Sequence, residues 1–115
     1  MKKVRVFARG VAKPGREKEL REVLRTLLAP TRLEEGCLFY DLYESEAGGV
    51  FIFHELWHSK ASLDRHAASA HLKKARERIA SGDLLAGAFE VNEVTEIEQP
   101  PGEKAQVAAK LLPTA

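Results

Sequence analysis

The chain has 115 residues, of which 44% are hydrophobic and 30% charged, and its formal net charge is +1. This length suits one small domain, and the apolar fraction excludes a wholly disordered or fibrous chain. No run of about 18 apolar residues occurs, so we expect a cytoplasmic protein without a membrane partner. Balanced charges predict no nucleic-acid partner. The single cysteine, Cys37, excludes an intrachain disulfide and a zinc site built on cysteine pairs.

The first half of the chain predicts a strand, a helix and a hairpin. Residues 3–12 alternate apolar and polar side chains at the period of a strand. Residues 16–30 then place leucines and valines at helical spacing, and we expect this helix to stop near Pro30. Residues 37–44 and 50–58 are rich in aromatic and apolar side chains on either side of a glycine-containing turn, which predicts an antiparallel hairpin.

The second half predicts two helical stretches and a last strand. Ser59 can cap the first stretch, and residues 69–71 are expected to break it before the second begins. Residues 88–98 predict a strand in which the alternation slips between Val91 and Val94. That slip indicates a β-bulge.

The order strand, helix, strand, strand, helix, strand is the split βαβ arrangement of ferredoxin-like α+β domains. It predicts a four-stranded antiparallel sheet with both helices on one face. Both faces of the hairpin are apolar, so the face without helices would stay exposed in a monomer. We therefore expect a homodimer of domains spanning residues 1–98, with residues 99–115 forming a C-terminal arm or a disordered tail.

One carboxylate lies among aromatic side chains on the return strand of the hairpin. Phe53, Glu55 and Trp57 share one face of this strand because side chains alternate. A carboxylate there needs a hydrogen bond or a cation, or else it protonates. Glu55 is therefore either the polar group of a pocket wall beside Trp57 or a structural ion pair with Arg5 or Arg9.

Two histidines fall on the helical region that covers the sheet. His66 is on the inward side of its helix, and His71 follows at the predicted break. A neutral imidazole in the gap between helix and sheet can act as a general base near pH 7, or it can be a core histidine bonded to a backbone carbonyl. His54 and His58 are about 13 Å apart along their strand, which is too far for one metal ion. We expect no metal site.

The remaining polar groups have weaker functional signals. A basic cluster on the last helix is either a solvated face or a site for an anionic ligand. Its members are Lys73, Lys74, Arg76 and Arg78. No glycine-rich phosphate loop or dinucleotide fingerprint is present, so we expect no nucleotide cofactor. Cys37 is expected to be a small buried residue rather than a nucleophile.

Four short motifs stand in an order and spacing that match a known family. They are Lys13-Pro14-Gly15, Glu34-Glu35-Gly36-Cys37 followed by Tyr40, the run from Phe53 to Ser59, and His66 with Ser69-Ala70-His71. Over about residues 3 to 98 the chain resembles the antibiotic biosynthesis monooxygenase family. The resemblance implies a dimeric α/β-barrel of ferredoxin-like subunits, each with a pocket between its helices and its sheet.

The resemblance also implies an activity. Relatives oxidise quinols or anthrones with dioxygen and without a metal or flavin, which implies a cofactor-independent monooxygenase acting on a small quinol- or anthrone-like aromatic. His66 is the expected base, Trp57 the wall of a flat slot, and His71 or Arg9 the group that stabilises the substrate anion. The expected substrate contacts are Phe53, Glu55, Arg9 and Tyr40.

Other branches of the family give alternatives. A haem-degrading branch needs an Asn on the first strand and a His on a helix, where this chain has Gly10 and Arg76, and this departure argues against haem. An isomerase of a small phosphorylated ketone stays open, because Lys73 and Arg76 suit a phosphate. A non-catalytic small-molecule-binding dimer also stays open, because a fold does not settle a function.

Overall fold

The computed structural model describes residues 2–98. The strands are β1 (Val4–Val11), β2 (Cys37–Glu44), β3 (Val50–Trp57) and β4 (Glu90–Val94). The helices are α1 (Glu17–Arg25), α2 (Leu28–Arg32), α3 (Lys60–Ala67) and α4 (Ala70–Gly82). The strands form one antiparallel sheet in the order β2-β3-β1-β4. This confirms the predicted ferredoxin-like α+β fold, while the predicted arm at 99–115 lies outside the described residues.

One face of the sheet carries the hydrophobic core. Its buried side chains alternate along the two central strands and continue into β2, and α1 packs Leu20 and Leu24 against the same core. The sheet contributes Val6, Ala8, Tyr40, Phe51, Phe53 and Trp57. Because strand side chains alternate, these positions also fix which polar groups face the helices.

The other face of the sheet is apolar and partly exposed. Phe7 is 38% exposed and Tyr43 55% exposed, and Ile52 and Leu56 on the central strand β3 are only partly buried. The guanidinium of Arg5 lies 5.6 Å from the centre of the Phe39 ring on this face. We call this face, built from alternate residues of β1, β2 and β3, the outer face. The homodimer was predicted because this apolar face would stay exposed in a monomer.

Ser59 caps α3 as predicted and Ser69 also caps α4, but the first helix ends earlier than predicted. Ser59 accepts a hydrogen bond from the backbone N–H of Ser62 at 3.2 Å, and Ser69 accepts one from that of Leu72 at 3.4 Å. The helix predicted to stop near Pro30 instead ends at Arg25, and Pro30 lies in the first turn of α2. Proline is tolerated there because the first turn does not need its missing N–H.

The predicted bulge in the last strand is wrong. Residues Glu90–Val94 pair with β1 in unbroken register, and the strand is shorter than the predicted 88–98. Val91 and Val94 lie on opposite faces of this edge strand, which is why the alternation looked shifted. The register shift is instead in β2, where Leu38 is the extra residue between Cys37 and Phe39 and is 46% exposed.

None of the helices within residues 2–98 has the length and apolar character needed to cross a membrane. The longest, α4, has 13 residues.

Candidate functional site

A cavity of about 560 Å³ lies between the helix-covered face of the sheet and helices α3 and α4. Three of its buried lining residues carry polar atoms, namely Tyr40, Glu55 and His66. The other walls are mostly apolar and include Leu24, Leu27, Phe53, Leu72, Ile79 and Phe89. A mostly apolar cavity with a few convergent polar groups is typical of a small-molecule site. Its position is the one that the family resemblance implied.

Exposed residues of the lining mark the mouth of the cavity. Arg76, Ala80 and Asp83 lie on or just after α4, Gly87 precedes β4, and Val91 is in β4. The polar side chains of Tyr40, Glu55 and His66, in contrast, are buried.

Glu55 is held inside the cavity without a cationic partner among the contacts described. It is 5% exposed, and its Oε1 accepts a hydrogen bond from Trp57 Nε1–H at 2.9 Å. Burial raises the pKa of Glu55 to about 7, and the Trp57 hydrogen bond opposes this rise. The ion pair considered with Arg5 or Arg9 is absent, because both arginines lie on strand positions that face away from Glu55.

His66 is the buried imidazole of the cavity wall. It is 5% exposed, with its ring 4.7 Å from the Trp57 ring and 5.3 Å from the Tyr40 ring. Its Nδ1 lies 2.7 Å from Glu34 Oε2, and because a carboxylate accepts hydrogen bonds, Nδ1–H is the donor. Burial lowers the pKa of His66 below 6.5, although Glu34 opposes this effect. The imidazole is therefore neutral near pH 7 and carries its lone pair on Nε2.

Glu34 is the site residue that the sequence analysis did not single out. Its Oε2 also accepts a hydrogen bond from His71 Nε2–H at 2.9 Å, so one carboxylate oxygen joins both histidines. These three residues, Glu34, His66 and His71, are called the Glu–His–His cluster below. Their ligand-type atoms all lie within 4.8 Å of one another, and the set could hold a metal ion. Histidine spacing along one strand or one helix does not reveal this arrangement, because the three residues come from a loop, from α3 and from α4.

Gly36 explains how Glu34 comes close to α3. The backbone at Gly36 has a φ of 86°, and a Cβ there would lie 2.6 Å from Cβ of the buried Ser62 on α3. Only a residue without a side chain therefore lets the loop before β2 pack directly on this helix. The backbone N–H of His58 also donates to the Gly36 carbonyl at 2.8 Å. The loop is thus fixed on both sides, with Glu34 next to His66.

The structure brings together most of the predicted site residues, with three differences. Trp57 is on the predicted face but does not line the cavity, because Glu55 and His66 lie in front of its fully buried ring. His71 is outside the cavity wall, where it shares Glu34 with His66 and its ring lies 6.1 Å from the His66 ring. Arg9 is exposed on the outer face, so the predicted substrate contact and anion-stabilising role of Arg9 do not fit the cavity of this chain.

The other candidate residues are the basic side chains of α4, the Cys37 thiol and the Tyr40 hydroxyl. Arg76 lines the cavity mouth and donates to the Ala67 carbonyl at 3.0 Å, whereas Lys73 and Lys74 are exposed and do not line the cavity. Burial raises the pKa of the Cys37 thiol to about 11, so it stays protonated and is a poor nucleophile. Burial also raises the pKa of Tyr40, which keeps its hydroxyl protonated in the cavity.

Comparisons with known proteins identify the family and the fold. The family model described as antibiotic biosynthesis monooxygenase matches residues 4–78. Rv0793 of Mycobacterium tuberculosis, named as a proposed monooxygenase, is 40% identical over 82 residues, which cover 71% of this chain and 79% of that protein. The solved structure of Rv0793 has a TM-score of 0.77 at 35% identity and covers 85% of this chain and 98% of that chain. The crystal structure of PA3566 from Pseudomonas aeruginosa has a TM-score of 0.75 at 29% identity, covering 85% and 97%.

The fold and the cavity define a ferredoxin-like α+β domain that is built to enclose a small molecule beneath its helices. The family match covers well over half of the chain and includes the loop of Glu34 as well as helices α3 and most of α4. The chain belongs to the antibiotic biosynthesis monooxygenase family.

Proposed function

We propose that this protein is a cofactor-independent monooxygenase that oxidises a quinol- or anthrone-like aromatic with dioxygen. The observation that carries the proposal is the buried His66, whose Nδ1–H is fixed by Glu34 in the wall of a mostly apolar cavity. A neutral imidazole held in one tautomer and shielded from water is suited to take a proton from a bound substrate.

The cavity supports a flat aromatic substrate. Its volume of about 560 Å³ is in the range of small-molecule sites, and aromatic rings from Tyr40, Phe53 and Phe89 line it. The Phe53 ring lies 4.9 Å from the Tyr40 ring and 6.3 Å from the Phe89 ring, so the three form a continuous aromatic wall. A fused-ring phenol or anthrone can stack on this wall and place its acidic C–H or O–H near His66.

The proposed reaction needs no external reductant. With an anthrone, His66 Nε2 takes a proton from the ring methylene, and the substrate anion gives electrons to dioxygen. A bond forms between that carbon and one oxygen atom, and His66 returns its proton to the distal oxygen, giving a hydroperoxide. Loss of water then breaks the O–O bond and leaves a carbonyl. One oxygen atom enters the product and the other leaves as water, while the methylene carbon supplies all the electrons.

Glu55 is the proposed hydrogen-bonding partner of the substrate. Trp57 Nε1–H occupies its Oε1, which leaves Oε2 for a ligand in the cavity. With a pKa raised to about 7, the carboxyl is protonated in slightly acidic solution and can donate to a substrate carbonyl. The donated hydrogen bond strengthens as negative charge develops on that oxygen, which favours removal of the proton by His66.

The alternatives have weaker support from the cavity. Of the basic residues proposed for a phosphate, Arg76 alone lines the cavity, and its exposed guanidinium already donates to the Ala67 carbonyl. The walls around the polar groups are apolar, which suits an aromatic ring better than a phosphorylated ketone. The proposed enzyme acts as a homodimer joined through the outer face, since that face exposes apolar side chains in a single chain.

Oxygen uptake tests this proposal. Full-length protein stripped of metals is mixed with a panel of quinols and anthrones in an oxygen-electrode cell, and the autoxidation rate without protein is subtracted. We expect uptake with at least one substrate, with one dioxygen consumed for each anthrone converted to the corresponding quinone. Turnover that continues without dioxygen would instead support an isomerase. Saturable binding of the same aromatics with no uptake would support a binding protein and contradict the monooxygenase proposal.

A further inference from the structure

The Glu–His–His cluster has the chemical composition of a metal site. Two imidazole nitrogens and one carboxylate oxygen form a ligand set that divalent transition metals favour in proteins. His66 Nδ1 and His71 Nε2 lie 2.7 Å and 2.9 Å from the same oxygen of Glu34, and all three ligand atoms lie within 4.8 Å of one another. Small movements of these side chains are enough to place three donors around one ion.

The chain brings these donors together from parts that are far apart in sequence. Glu34 belongs to the loop that Gly36 allows to pack on α3, and His66 is in the last turn of α3. The chain then turns at Ala68 and Ser69, where the backbone N–H of Ser69 donates to the His66 carbonyl at 3.0 Å, and His71 follows in the first turn of α4. The backbone N–H of Glu34 in turn donates to the Thr31 carbonyl at 3.0 Å, so the backbone around each donor is held by hydrogen bonds.

Burial distinguishes this cluster from an ordinary group of surface acids. The side chains of His66, Glu34 and His71 are 6%, 15% and 24% exposed. The partial opening at His71 gives an ion a route from solvent, while His66 reaches the wall of the cavity. A metal ion at this position would touch the base from the side opposite to the substrate.

We propose that Glu34, His66 and His71 bind one divalent transition-metal ion, and that binding moves the remaining proton of His66 from Nδ1 to Nε2. A metal ion bonds to the lone pair of Nδ1, so the single proton of the neutral imidazole must then be on Nε2. The nitrogen that faces the cavity becomes a donor and no longer accepts a proton. Resting on the proposed function, this makes the metal a reversible inhibitor of the base.

A calorimetric titration of the tag-free, metal-stripped chain with zinc tests the proposed metal site without any enzyme assay. We expect saturable binding of one zinc ion per chain. Glu34→Gln and His71→Ala should each weaken zinc binding by at least about tenfold, since even residues that only support a ligand have effects of this size. The matched controls are Glu35→Gln and His58→Ala, which change exposed neighbours outside the cluster and should leave the affinity unchanged. Circular dichroism verifies that each variant is folded.

Nitrogen NMR of the imidazole ring tests the proton shift. In the metal-free protein, long-range proton–nitrogen spectra should show the His66 proton on Nδ1, and saturating zinc should move it to Nε2. The proposed metal site is contradicted if zinc does not bind saturably. It is also contradicted if zinc binding persists unchanged in Glu34→Gln and His71→Ala. Zinc binding with the proton still on Nδ1 overturns the shift. Neither readout depends on oxygen uptake, so failure of the monooxygenase proposal is detected separately.

Discussion

Among single residues, Glu55 shows most directly how burial and chemistry are linked. Its pKa of about 7, against an ordinary value of 4.5, means that the folded protein holds the proton more tightly than the unfolded chain. The free energy of unfolding should therefore fall as the pH rises from about 4.5 to about 7, because the ionised carboxylate is the form that burial disfavours.

Glu55→Gln should remove this pH dependence. The amide oxygen can still accept the Trp57 hydrogen bond, but no charge forms in the cavity. At pH 8 the variant should be more stable than the wild type by up to about 3 kcal/mol, since one pKa unit corresponds to about 1.4 kcal/mol. Urea unfolding from pH 4.5 to 8 measures the effect, with Glu35→Gln as the exposed control. An unchanged pH slope in Glu55→Gln would contradict the assigned pKa.

The same substitution should change the pH profile of oxygen uptake. In the wild type, kcat/KM should decline above about pH 7 as Glu55 loses the proton that it donates to the substrate. The groups that influence this titration are Glu34, which raises the pKa, and Trp57, which lowers it. Because glutamine keeps a neutral donor, this decline should disappear in Glu55→Gln. A decline at the same pH in both proteins would assign it to another group or to the substrate.

Four of the residues predicted from the sequence line the candidate cavity, but the sequence did not predict the group that connects His66 to His71. Phe53, Glu55 and Trp57 were placed on one face by simple alternation, and His66 was placed inward by helical spacing. Glu34 was not identified as a partner because it lies 32 residues from His66, on a loop whose path depends on tertiary packing. The only local signal was Gly36, whose lack of a side chain permits the close approach.

At the scale of elements, the contact between the Gly36 loop and α3 is the feature that builds the site. Gly36→Ala adds a Cβ in a left-handed conformation and against the buried Ser62. Gly15→Ala is a matched control, because Gly15 has nearly the same φ of 85° but nothing within 4 Å of the added atom. Both variants incur backbone strain, and only the first also meets a steric clash.

Gly36→Ala should therefore be less stable than Gly15→Ala by about 1–3 kcal/mol, the usual range for overpacking. Urea denaturation of the two variants measures the difference. Gly36→Ala should also displace Glu34 and so weaken the hydrogen bond between Glu34 and His66. The NMR signals of the His66 imidazole report this change. Equal losses of stability in the two variants would show that the loop does not pack closely on α3.

The element order was predictable, while several boundaries were not. Hydrophobic periodicity gave the four strands and the helices between them, because each pattern reports which face of an element is buried. The end of the first helix was missed because Pro30 can also begin a new helix, as it does in α2. The bulge was predicted in β4, but it is in β2. The edge strand β4 has apolar residues on both of its faces, and this breaks the apolar–polar alternation although the pairing register does not change.

On the scale of the whole molecule, the outer face predicts association. Ile52→Glu places a charge on the central strand β3 in the middle of this face, whereas Leu33→Glu changes a side chain that is 87% exposed on the helical side of the molecule. Burying an unpaired carboxylate in an apolar interface is unfavourable. Sedimentation velocity should therefore show a dimer for the wild type and Leu33→Glu, and dissociation for Ile52→Glu. A wild-type monomer at micromolar concentration would contradict the homodimer.

The central claim is that His66 is the base of a cofactor-independent oxygenation. The most direct test compares the oxygen uptake of metal-stripped His66→Ala with that of metal-stripped His58→Ala. The exposed His58 is a matched control outside the cavity. His66→Ala should reduce kcat/KM by about 100-fold or more, a typical contribution of a general base, while substrate binding persists. His58→Ala should retain wild-type uptake. Uptake by His66→Ala at the wild-type rate would contradict the claim.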